Sequence, residues 1–257
     1  MDIRVLLIDG LNVLRRVYEA QPDKGSPASS DHSVDGSLGI IRKIRSAVEP
    51  THLLWVFDGE PPTWRHDLYP QYKANRPPTP QGVKDAATKL GPALTRAGMA
   101  HLGVANTEAD DAIATIARKL DINNIDTVIA STDQGYCQLL TKHINLYNHV
   151  KKEFRNDHWV NEHFKVPVNL YTALIALAGS ASDNIHGIPG IGIKTAANLL
   201  IKYGSINAIL DASETLPAKT RSALLSHGSE LDRYLKLVTL RDDIQITLNL
   251  KEMRLDV

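Results

Sequence analysis

Ile3-Arg4-Val5-Leu6-Leu7-Ile8-Asp9-Gly10 is an apolar run of strand length that ends on a carboxylate. Two further stretches repeat the arrangement: His52-Leu53-Leu54-Trp55-Val56-Phe57 runs into Asp58-Gly59, and Thr127-Val128-Ile129-Ala130 into Ser131-Thr132-Asp133. Such runs, spaced by helix-like segments, predict strands of an α/β sheet. In a parallel sheet the carboxyl ends of the strands lie along one edge, where ligands bind. Residues far apart in sequence would therefore meet there.

A fourth acidic string, Glu108-Ala109-Asp110-Asp111, opens the apolar helix expected over Ala109–Leu120. One acid would serve as an N-cap and complement the helix dipole; three in four residues exceed that need. Asp9, Asp58, Glu108, Asp110, Asp111 and Asp133 would then share one cleft. Such a cluster repels itself and raises its own pKa values unless a cation neutralises it. A hard divalent ion with oxygen ligands, Mg²⁺ above all, is the expected remedy, and metal-assisted hydrolysis the expected chemistry. The bland reading of each Asp-Gly pair is a strand-ending turn; its recurrence at one structural address favours function.

Elsewhere a helix is expected over residues 34–48, where Val34, Leu38, Ile41, Ile44 and Val48 keep helical spacing, and a short strand over Ile144–Tyr147. From about residue 158 helical signals dominate: Pro167–Ala178, Lys194–Lys202 and Leu231–Thr239. Trp64–Gln81 carries Pro70, Pro77, Pro78 and Pro80 among aromatics and cations; it is expected to be an unburied surface excursion. The interleaving of Trp64, Arg65, Tyr72, Lys73 and Arg76 suits single-stranded nucleic acid, by stacking and phosphate contacts.

Gly187-Ile188-Pro189-Gly190-Ile191-Gly192-Ile193-Lys194-Thr195 matches neither a dinucleotide fingerprint nor a P-loop, since no strand precedes it and Ile193 stands where Lys is required. It reads as a tight hairpin between helices, whose backbone N–H groups and following helix N-terminus could hold a phosphate.

Lys plus Arg and Asp plus Glu are equal at 29 each, so any nucleic-acid binding must come from local basic patches. With 43% hydrophobic and 23% charged residues the chain should be globular. The single Cys137 excludes an internal disulfide and reads as a buried thiol in a reducing compartment. No apolar run reaches bilayer length and the start carries no signal-peptide pattern, so a cytoplasmic protein without membrane contact is expected.

Taken in order, these strings resemble the bacterial and phage 5′-nuclease (flap endonuclease) family over nearly the whole chain. The match rests on Asp9, Asp58 with Arg65 downstream, Tyr72-Lys73-x-x-Arg76, Glu108-x-Asp110-Asp111, Ser131-Thr132-Asp133 and the Gly-Ile-Pro-Gly-Ile-Gly string. The resemblance implies an α/β fold with a mostly parallel central sheet flanked by helices, a PIN-like nuclease core over 1–157 with an arch at about 64–98. A helical DNA-binding region would follow over 158–257, with a helix-three-turn-helix at about 174–203.

The implied activity is Mg²⁺-dependent hydrolysis of branched DNA at the junction of duplex and 5′ single-stranded flap, by a monomer. Lys73, Arg76 and Asp110 would be catalytic, and Arg65, Tyr72 and Gly190 to Thr195 (Gly190, Ile191, Gly192, Ile193, Lys194, Thr195) would contact DNA. The family's K⁺ would fall on the carbonyls of Leu177, Ala178, His186, Ile188 and Ile191. Two departures weaken the implied second metal site: Gly135 and Ser180 replace acids, while Asp183 remains. The alternative is a DNA-binding protein that protects flaps or hands them over.

Overall fold

The computed structural model describes residues 2–247 and 249–255. In chain order its first half contains β1 (Arg4–Asp9), α1 (Gly10–Glu19), α2 (Ser29–Val48), β2 (His52–Phe57), α3 (Trp64–Leu68), α4 (Gln81–Arg96), β3 (Ala100–Gly103), α5 (Ala109–Ile122) and β4 (Asp126–Ala130). Then come β5 (Ile144–Asn148), β6 (Glu153–Arg155), α6 (Asp157–Phe164), α7 (Tyr171–Ala178), α8 (Ile193–Tyr203), α9 (Ile206–Asp211), α10 (Ala218–His227), α11 (Leu231–Val238) and α12 (Leu250–Met253). The chain divides into two compact units. The first comprises Met1–Pro61, Pro78–Arg155 and Arg241–Val257; the second, Pro62–Pro77 and Asn156–Leu240.

The first unit is built on a six-stranded sheet of order β3-β2-β1-β4-β5-β6. All pairings are parallel except that of β5 with β6. This is the α/β class expected from the sequence. β1 lies in the middle, buried on both faces from Val5 to Asp9, which explains its unbroken apolar run. Leu6 and Ile8 pack with Leu14, Ile41, Ile44, Leu90 and Leu94 beneath α1, α2 and α4. The small residues Ala112, Ala114 and Ala117 are buried along α5, which packs on β1, β2 and β4. The strand order reverses at β1, with β2 on one side and β4 on the other, so the carboxyl ends of these strands flank a topological switch point.

Three features of this unit escaped the sequence reading. β3 and β6 are short edge strands of four and three residues. The stretch 64–98, read as one arch, is divided between the units. Pro62–Pro77 joins the second, while Gln81–Arg96 forms α4 and buries Val83, Ala86, Leu90 and Leu94 in the sheet's core.

The second unit is helical. Trp64–Gln81 was expected to be an unburied excursion, and part of it corrects that view: Arg65, Tyr69 and Tyr72 are all buried. Prolines bar the stretch from regular interior structure, but not its side chains. The Arg65 guanidinium is 2% exposed and donates from Nε to the Leu237 carbonyl (2.9 Å) and from a terminal nitrogen to that of Thr239 (3.3 Å). It satisfies the open carbonyls at the end of α11.

Candidate metal centre and nucleic-acid interface

The acidic residues of the first unit stand on a hydrogen-bonded scaffold. Asp9 ends β1 and caps α1, accepting the Asn12 amide at one oxygen (3.2 Å) and the Ser131 hydroxyl at the other (2.7 Å). Ser131 is fully buried and accepts the Asp133 amide (3.0 Å), while Asp133 accepts that of Gly135 (2.7 Å). Asn12 and Thr132 bond each other reciprocally, tying the first turn of α1 to the loop after β4. Asp58, just past β2, accepts the amide of Ala109 (3.0 Å). Glu108 occupies the N-cap position of α5 but makes no side-chain cap bond. The first-turn capping that acids in this string could have served comes instead from Asp58, on another strand.

Electrostatically, four of these residues act as a group. Burial first, and then the charges of Asp110, Asp58 and Asp133, hold the Asp9 carboxyl well above the usual range, against a lowering bond from Ser131. Among the described residues no three acidic, His or Cys side chains close on one point as a ready ligand sphere. The carboxylates share a field more than a point. An all-oxygen, negatively charged set of this kind fits a hard divalent ion that keeps several of its own waters.

Asp111 takes a different place from its neighbour. It is fully buried and accepts the Arg241 amide (2.9 Å), anchoring the segment that returns to this unit. Asp110 is half-exposed and accepts the Tyr136 hydroxyl at 2.7 Å. Cys137 is buried as expected, its thiol pushed up to about 12 by desolvation.

A pH-dependence follows from Asp9. Because its carboxyl is harder to ionise in the folded state, the fold carries no penalty below the ordinary Asp pKa. The penalty grows as pH rises through the elevated value. In a chelator, the Tm of wild type relative to Asp9→Asn is expected to fall as pH rises toward neutrality. Adding Mg²⁺ at about pH 7.5 should recover the difference. Parallel Tm profiles of the two proteins in chelator would refute the charge argument.

In the second unit α7 ends at Gly179 and α8 begins after Gly192, so the expected helix-turn-helix is present. Gly179 (φ +85) and Gly187 (φ +64) allow the two arms to touch: a Cβ at 187 would stand 2.4 Å from the Gly179 nitrogen. The Ile188 amide donates to the Leu177 carbonyl (2.8 Å), and that of Ile191 to Ile188 (2.9 Å). Ile188 and Ile191 are buried, whereas Gly190, Gly192, Ile193, Lys194 and Thr195 are exposed around the start of α8.

Asp183 lies in this unit and is already engaged. One oxygen pairs with Arg76 (2.9 Å) and the other accepts the Ser180 hydroxyl (2.6 Å). The surrounding turn is clipped to residues 71–76. Arg76 Nε donates to the Ser182 carbonyl (2.7 Å), Asn75 to that of Ala181 (2.8 Å), the Lys73 amide to that of Asp183 (3.0 Å), and Asn184 to that of Gln71 (2.8 Å).

Two sequence readings need correction here. Tyr72 is 5% exposed, with the His66 ring edge-on at 5.5 Å and the Lys73 ammonium 4.8 Å over its face, and offers no open stacking surface. Arg65, buried against carbonyls, is a strut and not a DNA contact.

Residues 4–165 match the N-terminal, resolvase-like domain of 5′-3′ exonucleases, and 166–257 match their C-terminal SAM-fold domain. The chain belongs to the 5′-3′ exonuclease family. Flap endonuclease Xni of Pectobacterium carotovorum is 35% identical over 259 residues, covering 100% of this chain and 96% of its own. That of Shewanella frigidimarina is 36% identical over 256 residues, covering 98% of each. Among solved structures, T5 5′-exonuclease with bound divalent zinc ions has a TM-score of 0.76 at 23% identity, covering 91% of this chain and 89% of that one. The catalytic core of Rad2 with a DNA substrate has a TM-score of 0.63 at 18% identity, covering 95% and 80%. At these identities the structural likeness speaks for the fold.

Within this 5′-3′ exonuclease, sequence reasoning missed the neutral groups of the acidic cleft: Asn12, Thr132 and Tyr136. Polar residues of these types carry no signal until the strands that bring them together are aligned.

Proposed function

We propose that this chain is a Mg²⁺-dependent, structure-specific 5′-flap endonuclease, cutting branched DNA where duplex meets a 5′ single strand. The observation that carries this reading is the group of Asp9, Asp58, Asp110 and Asp133 at one sheet edge. The group lies in a family member whose full-length relatives are named flap endonucleases. These four would hold the ion, with Glu108 beside them at the start of α5. Bound there, Mg²⁺ would supply the Lewis acid that phosphodiester hydrolysis needs. Ser131 and Asn12 keep Asp9 oriented, and the Ala109 amide does the same for Asp58.

The hairpin and the start of α8 would hold duplex phosphates through exposed backbone N–H groups, with Lys194 and Thr195 beside them. K⁺ would sit on the carbonyls of Leu177, Ala178, His186, Ile188 and Ile191. Lys73 and Arg76 would counter phosphate charge on the single strand. Asp183 and Arg76 can serve as ligand and as cation only if their ion pair opens. No helix of the described residues is long and apolar enough to cross a membrane, and we place the enzyme in the cytoplasm as a monomer.

Cleavage of a 5′-flap substrate with Mg²⁺, against an unbranched duplex and a 3′-flap, tests the reading. Binding of the flap without cleavage at any Mg²⁺ concentration would favour the protective binding protein instead. Lys194→Ala is expected to weaken duplex binding equally across sequences and to reduce the salt slope by about one unit. An unchanged slope would remove the hairpin from the DNA interface.

A further inference from the structure

Tyr136 is almost fully buried at the acidic cleft, 1% exposed, and no role for it follows from the acidic strings. It sits in the 3₁₀ turn Gln134–Leu139 beside the buried Cys137 and Leu139, so its ring is fixed by packing. Its hydroxyl donates to Asp110 at 2.7 Å and thereby joins the loop after β4 to the first turn of α5. Resting on the metal-dependent reading above, we propose that Tyr136 is a positioning residue for the divalent ion. It holds one oxygen of Asp110 so that the other is aimed into the cleft.

Two observations support this. Asp110 bears on Asp9, so an unanchored Asp110 would swing away from that like charge. A desolvated O–H to a carboxylate is among the stronger hydrogen bonds. The other carboxylates of the group already have their orienting donors: Asn12 and Ser131 for Asp9, Ala109 for Asp58, Gly135 for Asp133. Tyr136 supplies the corresponding donor to Asp110.

Partners that orient metal ligands typically contribute about 10–100-fold to affinity. Mn²⁺ binding to the full chain without DNA, measured by electron paramagnetic resonance, is therefore expected to weaken about tenfold in Tyr136→Phe. In the Asp110→Asn background the same change should have no further effect, because Tyr136 acts through that carboxylate. Unchanged Mn²⁺ affinity in folded Tyr136→Phe, or an equal loss in both backgrounds, would overturn the proposal. Should Tyr136→Phe not fold, wild type still decides. Mn²⁺ or Mg²⁺ should perturb the near-ultraviolet tyrosine absorbance of wild type and not of Asp110→Asn, and an identical response in both would refute the coupling. The readout is independent of cleavage: a Tyr136-dependent Mn²⁺ site in a protein that cuts no flap would retain this proposal and sink the nuclease reading. Flap cleavage with Mn²⁺ binding indifferent to Tyr136 would do the reverse.

Discussion

Replacing Asp110 by Asn is expected to lower flap cleavage by about 10³-fold or more, while affinity for branched DNA stays equal or rises. The substitution is close to isosteric, and the Asn carbonyl can still accept the Tyr136 hydroxyl, so the walls of the cleft remain joined. What disappears is one negative charge among four. That loss removes a ligand from the reaction and also removes repulsion toward DNA phosphates, which moves rate and affinity in opposite directions. Single-turnover cleavage beside equilibrium binding in Ca²⁺ separates the two. Wild-type turnover in folded Asp110→Asn would end the catalytic assignment of the acidic cleft.

The sheet's centre was legible because burial on both faces writes itself as unbroken apolar runs; β1, β2 and β4 could hardly be read otherwise. The edges were not. β3 alternates half-buried and exposed residues over four positions, and β6 is three residues long, too short for any periodicity to emerge. α4 was hidden by the prolines that precede it, although Val83, Ala86, Leu90 and Leu94 keep helical spacing.

For the site, position along a strand could be read and direction could not. Asp9 and Asp58 were identifiable from where their strands stop. Whether a side chain then faces ligand or interior is decided by packing that adjacent residues do not share. Asp110 and Asp111 show this within one helical turn, as one meets Tyr136 at the cleft while the other anchors Arg241. Arg65 shows it again: a cation beside Trp64, at 4.4 Å from its ring, has the composition of a nucleic-acid contact and the position of a core strut.

The Asp-Gly pairs carry both of their readings at once, and Gly59→Ala is expected to demonstrate it. The Gly59 backbone has no positive φ, so conformational freedom is not what the position requires. A Cβ there would meet the Val104 carbonyl oxygen at 2.2 Å, with the Asn106 nitrogen and Thr107 oxygen at 2.9 Å. All three are backbone atoms and none can rotate aside. Separation of the strand end from the loop before α5 would strain the Gly59-to-Thr107 bond (2.8 Å) and the Ala109-to-Asp58 bond that orients the carboxylate. Overpacking of a rigid contact costs about 3 kcal/mol, on the order of 10 °C in Tm for a chain of this size. Cleavage should fall with it even where the protein is still folded, because Asp58 moves. Gly39→Ala provides the opposite case: it lies inside α2, where an added Cβ meets only the Arg42 side chain at 3.7 Å. There the same substitution should stabilise by about 0.5–1 kcal/mol through helix propensity and leave activity alone. A Gly59→Ala protein with wild-type Tm and wild-type cleavage would mean that the turn after β2 has slack, and that the acidic cleft does not depend on it.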